Sequence, residues 1–254
     1  LVRKRVRDGV IRRLIGKWLN AGVLENGQKT YSDSGVPQGG VVSPVLSNIY
    51  LHEVLDKWFA EKVLPRMTAK AFMVRYADDG VLVFANKSDA DKVFDVLPKR
   101  FAKFGLTLHP EKTKLIDFRR GRRRDSFDFL GFTHFWGMSR RWKPVVKRQT
   151  SRQRFSRGLR SIGSWLAGVR HRHISQQHKV LSQKLRGHNQ YYGITGNGQA
   201  LAAFVYRVMH LWRKSLGRRS YKAKRNWAWF RDLLKRFPLP KPTPIHSVLR
   251  HAVN

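Results

Sequence analysis

Near the start of the chain, Val10, Ile11, Leu14, Ile15, Trp18 and Leu19 recur at helical spacing, with Gly22 close to the stop. A Gly- and Pro-rich loop follows from Gly35 to Gly40. Helical periodicity resumes at about Ser43, with Leu46, Ile49, Tyr50, Val54, Leu55 and Trp58 on the side expected to be buried. Ser43 reads as the N-cap and Pro44 as the first helical residue. The period then changes. AFMVRYADDGVLVFA reads as strand, tight turn and strand, because apolar β-formers flank ADDG and Asp and Gly tolerate the backbone angles of such a turn. Ser88 is expected to cap the next helix, with Asp89 and Asp91 in its positive first turn and its end near Gly105. LTLHPEKTKLIDF and SFDFLGFTHF read as strands on either side of the arginine-rich RRGRRRD. From about Lys143 the pattern is helical, through SRQRFSRGLRSIGSWLAGV, ISQQHKVLSQKLRGHNQYYG and NGQALAAFVYRVMHLWRKSLGRR. The tail RFPLPKPTPIH is proline-rich and expected to be extended. The order of elements predicts an α+β first part, with antiparallel strands and helices, followed by an all-α part.

Charge sharpens this picture. The chain has 254 residues, 52 Lys and Arg against 16 Asp and Glu, a formal net charge of +36 and no cysteine. That length can bury a sizeable core, and 41% hydrophobic residues is ordinary for a folded protein. The surplus charge calls for a polyanionic partner, nucleic acid before an acidic membrane surface. No apolar run approaches the roughly 20 residues needed to span a bilayer. The basic start LVRKRVRDGV leads into no signal-like stretch, so the expected setting is cytoplasmic and associated with nucleoid or ribonucleoprotein. Lack of cysteine removes disulfides, thiolate zinc sites and thiol catalysis together. The acids are uneven: between Asp128 and Asp232 there is none. So long a cationic segment repels itself unless a polyanion neutralises it.

Against that background, Asp78 and Asp79 stand side by side inside an apolar run. An arbitrary Asp-Asp-Gly is most often a solvent-facing turn. Carboxylates at the tip of a hairpin also converge on a small volume, where they repel unless a cation intervenes. Mg²⁺, a hard cation wanting oxygen ligands, is the natural partner, and paired ions can drive phosphoryl transfer. The histidines of HRH, His171 and His173, have no nearby carboxylate or cysteine in the sequence, which argues against a metal site there.

YADD between apolar strands resembles the active-site hairpin of reverse transcriptases. GVPQGGVVSPVLSNIYLHEVLD before it, FGLTLHPEKTKLIDF after it and FDFLGFTHF beyond resemble the neighbouring blocks of that family in order and spacing. LRGHNQYYGITGN is similar to the thumb, or maturase, domain of group II intron-encoded reverse transcriptases. The resemblance covers nearly the whole chain. It implies a partial right-hand polymerase palm and fingers over residues 1–140, a helical basic thumb/maturase domain over 141–240 and a proline-rich tail over 241–254. It implies that Asp78 and Asp79 are catalytic and hold Mg²⁺, two ions being expected in a complete site. Tyr76, Ala77, Gln38 and Gly39 would border nucleotide, primer and template. Lys112 would meet phosphate, with a solvated lysine as the alternative. Leu130 and Gly131 would support the primer, or be ordinary strand residues.

In the family the basic helical region grips intron RNA, which implies contacts from Arg152, Arg154, Arg157, Arg186, His188, Tyr191 and Tyr192. The alternative is that most aromatics in this region, Trp165, Phe204, Tyr206 and Trp212 among them, fill a helical core. The implied partners are group II intron RNA, a DNA target or primer and dNTPs, with no membrane. The family's third metal-binding aspartate belongs on an earlier palm strand, and none is found here, so the chain is expected to be the C-terminal portion of a longer enzyme. The expected function is RNA-directed DNA polymerase with RNA-binding maturase activity. The alternatives are an intron-RNA-binding maturase without polymerisation, or an inactive remnant.

Overall fold

A computed structural model describes residues 2–20, 23–25, 28–30, 42–120, 125–139, 141–220 and 226–246. The chain divides into two compact units, Leu1–Leu115 and Ile116–Asn254.

In the first unit a single turn, α1 (Val2–Arg5), precedes α2 (Gly9–Leu19). The Asp8 carboxylate caps α2, accepting from the backbone N–H of Val10 at 2.7 Å and of Ile11 at 3.0 Å. The apolar stripe of α2 has the expected spacing, yet Val10, Ile11, Leu14, Trp18 and Leu19 are exposed. Beyond it lies a short antiparallel pair that the sequence pattern did not predict, β1 (Val23–Glu25) with β2 (Gln28–Thr30).

Helix α3 (Ser43–Leu51) has Val42 at the cap position and Ser43 inside its first turn, one residue from the expected cap; Pro44 fits there because that turn needs no N–H from it. The helix continues through two wider turns, His52–Asp56 and Phe59–Val63, and ends in a tight turn at Leu64–Arg66. Val54, Leu55, Phe59 and Val63 are its buried positions. Strands β3 (Ala71–Tyr76) and β4 (Asp79–Phe84) form the expected hairpin, followed by α4 (Lys87–Ala102). Asn86, not Ser88, caps α4; Asp89 lies in its first turn but is buried, accepting from the N–H and hydroxyl of Thr68 and the N–H of Ala69.

The core of this unit forms where α3 and its continuation meet α4 over one face of the hairpin. Leu97 and Phe101 pack with Val54 and Leu55, while Val93 packs with Phe59 and Val63. Ala71 and Met73 of β3 and Leu82 and Phe84 of β4 face this layer. Phe72, Val74, Tyr76 and Val83 face the other way and are exposed. Residues 106–118, expected to form a strand, have no regular secondary structure beyond a turn at His109–Thr113.

The second unit opens with an antiparallel sheet, β5 (Ser126–Phe129), β6 (Phe132–Met138) and β7 (Pro144–Thr150), in that order. Strand β7 replaces the helix expected from Lys143. Helices α5 (Arg152–Gly168), α6 (Ile174–Tyr192) and α7 (Gly198–Gly217) follow as predicted, and α8 (Trp227–Arg236) adds a helix that the sequence pattern had not separated from the tail. Leu166, Leu181, Leu185, Phe204, Val208, Trp212, Leu216 and Phe230 make a single apolar core. Trp212 and Phe204 therefore belong to the core, as the alternative reading of the aromatics held. Gly158 lets α5 approach α7, since a Cβ there would come within 3.1 Å of the Phe204 ring.

Polar pins cross this core. The Trp212 indole donates to Gln177 Oε1 at 3.0 Å, and the Gln177 amide donates to the carbonyls of Val169, Arg170 and Arg172, closing the α5–α6 connection. Asn197 accepts from the Thr150 N–H at 3.0 Å and donates to the Thr150 hydroxyl and the Tyr192 carbonyl, tying the end of β7 to the start of α7. The tail to His246 folds back along α6: Asn189 donates to the Lys241 carbonyl, and Ile194 bridges to His246.

His188, on the covered side of α6, stacks face to face on Phe204 with ring centroids 3.7 Å apart. Its burial disfavours the charged ring and lowers its pKa to about 4. The unfolded chain takes up this proton near the ordinary value of 6.5, so between 6.5 and 4 it binds more protons than the folded chain and stability falls as pH drops. Thermal midpoints measured from pH 7 to 4 are expected to decline less steeply in His188→Phe than in the parent; parallel curves would remove this histidine from the acid response.

Candidate nucleic-acid and metal site

The hairpin β3–β4 is registered so that Tyr76 faces Asp79, leaving Ala77 and Asp78 as a two-residue turn. The positive φ falls on Ala77, at 53°, rather than on the aspartates or Gly80. Such turns usually place glycine at this first central position, because a Cβ crowds the backbone there. Asp78 and Asp79 thus leave the very end of the hairpin, and both are exposed, as is Tyr76. Among the described residues neither carboxylate is hydrogen-bonded or ion-paired, and no group of three or more Asp, Glu or His is gathered to hold a metal. The adjacent pair supplies two hard oxygen donors, which suits a divalent cation whose other positions go to water and phosphate oxygens.

One strand position earlier lies a group that the motif reading passed over. Arg75 Nε and Nη2 donate to the two carboxylate oxygens of Asp56 at 2.7 and 2.6 Å. Its Nη1 donates to Asn48 Oδ1 at 2.8 Å and to the Ala77 carbonyl at 2.7 Å. The bonds from Arg75 hold the Asp56 carboxyl below the usual carboxylate range, and those to Asp56 raise the guanidinium above its own. His52 adds a longer contact to Asp56, 3.3 Å from Nδ1. A signal for Arg75 was present in the alternation. It shares the covered face of β3 with Ala71 and Met73, and a cation placed there demands a partner.

In the second unit, seven residues expected in two separate roles come together. Leu130 and Gly131 form the turn between β5 and β6, with φ of 51° and 79° and Phe129 paired to Phe132 across it. Two successive positive φ values mark the mirror-image turn favoured in hairpins; glycine takes the second without cost, whereas Leu130 is strained. The Tyr191 hydroxyl donates to the Leu130 carbonyl at 2.9 Å. Phe132 stacks on Tyr191 and meets Tyr192 edge-on. A Cβ on Gly131 would lie 3.1 Å from the Tyr192 hydroxyl and 3.5 Å from the Arg154 side chain. Burial raises the Tyr192 pKa, opposed by Arg154 and Arg157, and His188 packs on the Tyr192 ring. The tyrosines of HNQYY therefore buttress the FLGF turn.

Arg152 and Arg186 are exposed on α5 and α6. Lys112 is exposed beside the His109–Thr113 turn. Gln38 and Gly39 lie outside the described residues. Trp142, which the sequence reading did not single out, is 80% exposed on the β6–β7 connection, between Arg141 and Lys143. It too has a positive φ, 54°, and its N–H donates to the Ser139 carbonyl, so the loop is hydrogen-bonded with the indole outside. A tryptophan between cations at a strand connection was its available signal.

Comparison with known proteins agrees with this geometry. A stretch of the Group II intron-encoded protein LtrA of Lactococcus lactis subsp. cremoris is 52% identical over 58 residues, 23% of this chain and 10% of that protein. Protein YkfC of Escherichia coli (strain K12) is 31% identical over 51% of this chain and 40% of its own length. An uncharacterized 91 kDa protein in the cob intron of Schizosaccharomyces pombe is 23% identical over 82% of this chain and 34% of its length. The chain thus spans at most 40% of the length of these three relatives. Residues 4–134, which include the β3–β4 hairpin and the Leu130–Gly131 turn, match the family described as reverse transcriptase (RNA-dependent DNA polymerase). With half of its length matched to that family, and with paired carboxylates at the tip of the matched hairpin, the chain belongs to the reverse transcriptases.

Proposed function

We propose that this chain is part of a group II intron-encoded RNA-directed DNA polymerase that also binds its intron RNA as a maturase. The observation that carries the reading is the exposed Asp78–Asp79 pair at the end of a braced hairpin, inside the matched region of a strongly basic chain. The donor set fits Mg²⁺, which when bound would favour ionisation of a primer 3′-hydroxyl and neutralise the leaving pyrophosphate. Asp78 and Asp79 would hold the ions, with Tyr76 beside them on the open face of β3; in the second unit, the Leu130–Gly131 turn would be the element that supports a primer strand. Template, primer and dNTP are the substrates. The whole arrangement operates in the cytoplasm, in a ribonucleoprotein. No helix among the described residues is long and apolar enough to cross a membrane.

The maturase part rests on the second unit. Its helix α5 carries Arg152, Arg154, Arg157 and Arg160, all exposed, and no acid. Those cations meet phosphate, while Trp142 offers a flat apolar face on which an unpaired base can stack.

Two measurements test the two parts separately. With an RNA template, a DNA primer and Mg²⁺, Asp78→Ala is expected to reduce dNTP incorporation to background while leaving the thermal midpoint unchanged, because Asp78 is exposed; incorporation equal to the parent's overturns the metal-binding role. In equilibrium binding to single-stranded intron RNA, Trp142→Ala is expected to weaken affinity about 5- to 100-fold and Trp142→Phe far less. Equal affinity of parent and alanine variant would remove the stacking contact.

A further inference from the structure

The bonds of Arg75 reach three places at once: Asn48 in α3, Asp56 in the wide turn that continues it, and the Ala77 carbonyl inside the hairpin turn. We propose that Arg75 is the positioning residue of the Asp78–Asp79 turn, carrying the rigidity of the α3 continuation to the one peptide group that sets the direction of the two carboxylates. The inference rests on the reading of that pair as the metal-holding group.

Three features support it. First, the antiparallel ladder ends at the Tyr76–Asp79 pair, so no cross-strand bond holds the peptide of Ala77 beyond it. Ala77 has φ of 53°, and a non-glycine residue stays in that region only when its surroundings over-determine it. The Arg75 bond to its carbonyl supplies that determination. Second, the brace is itself fixed. The Arg75 side chain is 12% exposed, so water competes weakly, and the two-pronged bond to Asp56 orients the guanidinium plane. Its other anchors stand on an element whose Val54 and Leu55 are core residues of the unit. The wide turn His52–Asp56 is where Asp56 sits, and such single wide turns recur at functional positions in helices. Third, the pairing cancels charge. With Asp56 on its other edge, Arg75 reaches the turn as a donor to a carbonyl rather than as an uncompensated cation. It therefore braces Asp78 and Asp79 without displacing the metal from them.

A lysine in this place keeps the charge but has one nitrogen, which cannot span Asp56, Asn48 and Ala77 together. Arg75→Lys therefore separates a simple ion pair from the positioning role. Hydrogen exchange followed by mass spectrometry is the primary readout, because it needs no polymerisation. In Arg75→Lys, amides of Tyr76–Gly80 are expected to exchange roughly tenfold faster, while those of Val93–Phe101 in α4 keep parental protection. Asn48→Ala, which leaves the Asp56 pair in place, is expected to move the same amides in the same direction by a smaller factor. In dNTP incorporation, kcat is expected to fall roughly tenfold in Arg75→Lys with KM for dNTP little changed. Turn amides exchanging at the parental rate in either folded variant overturn the positioning role, whatever the activity. Faster turn exchange in a chain whose parent incorporates no nucleotide upholds the positioning role and overturns the polymerase reading. Should Arg75→Lys fail to fold, Asn48→Ala decides the question by the same criterion.

Discussion

The fork between Arg75 and Asp56 joins the parts of the first unit that do different work. Asp56 belongs to the continuous helical stretch that supplies Val54, Leu55, Phe59 and Val63 to the core. Arg75 belongs to the strand that ends in the aspartate turn. An unpaired guanidinium on the covered face of β3 would carry a heavy desolvation cost, and an unpaired Asp56 a comparable one. Each therefore requires the other, and their pairing sets where the end of the hairpin stands relative to α3. The exposed carboxylates beyond it contribute nothing to the core. They can be placed so far into solvent because the strand behind them is held by charge-assisted bonds at Arg75 as well as by the packing of Ala71 and Met73.

The second unit solves a related problem with neutral groups. Its apolar core is crossed by Gln177 to Trp212, by Asn197 to Thr150, and by Ser215 to the Leu166 carbonyl. These bonds close connections between elements whose own ladders end there, so the buried polar atoms serve as joints. Tyr191 does the same for the strained Leu130 turn. The Leu130–Gly131 turn is thereby built against the helix that carries the HNQYY segment. This contact gives a physical reason for one chain to keep both sequence blocks.

Much of this was legible in the residues. The YADD hairpin and the three long helices from Arg152 to Gly217 follow from clear period-2 and 3.6-residue patterns. Other places misled for identifiable reasons. PVVKRQT, which forms β7, alternates too briefly to be separated from the helical pattern after it. LTLHPEKTKLIDF has β-forming residues but no regular structure among residues 106–118, since a strand needs a partner and propensity does not supply one. Ser43 and Ser88 looked like caps by residue type, whereas Val42 and Asn86 occupy those positions, because where a helix starts depends on what its first turn packs against.

Local chemistry is what the sequence determined by itself. The basic surplus, the scarcity of acid, the hairpin carrying two adjacent aspartates and the amphipathic helices all follow from residue identity and spacing. Tertiary structure decided which groups meet. It set Arg75 against Asp56 and Ala77, turned Tyr191 and Tyr192 toward Leu130 and Gly131, placed His188 on Phe204 and left Trp142 outside. The physical reason is one of range. Periodicity is set by torsion angles within a few residues, whereas Arg75 and Asp56 stand 19 positions apart and Tyr191 and Leu130 61 apart. Contacts of that separation exist only once the chain has packed.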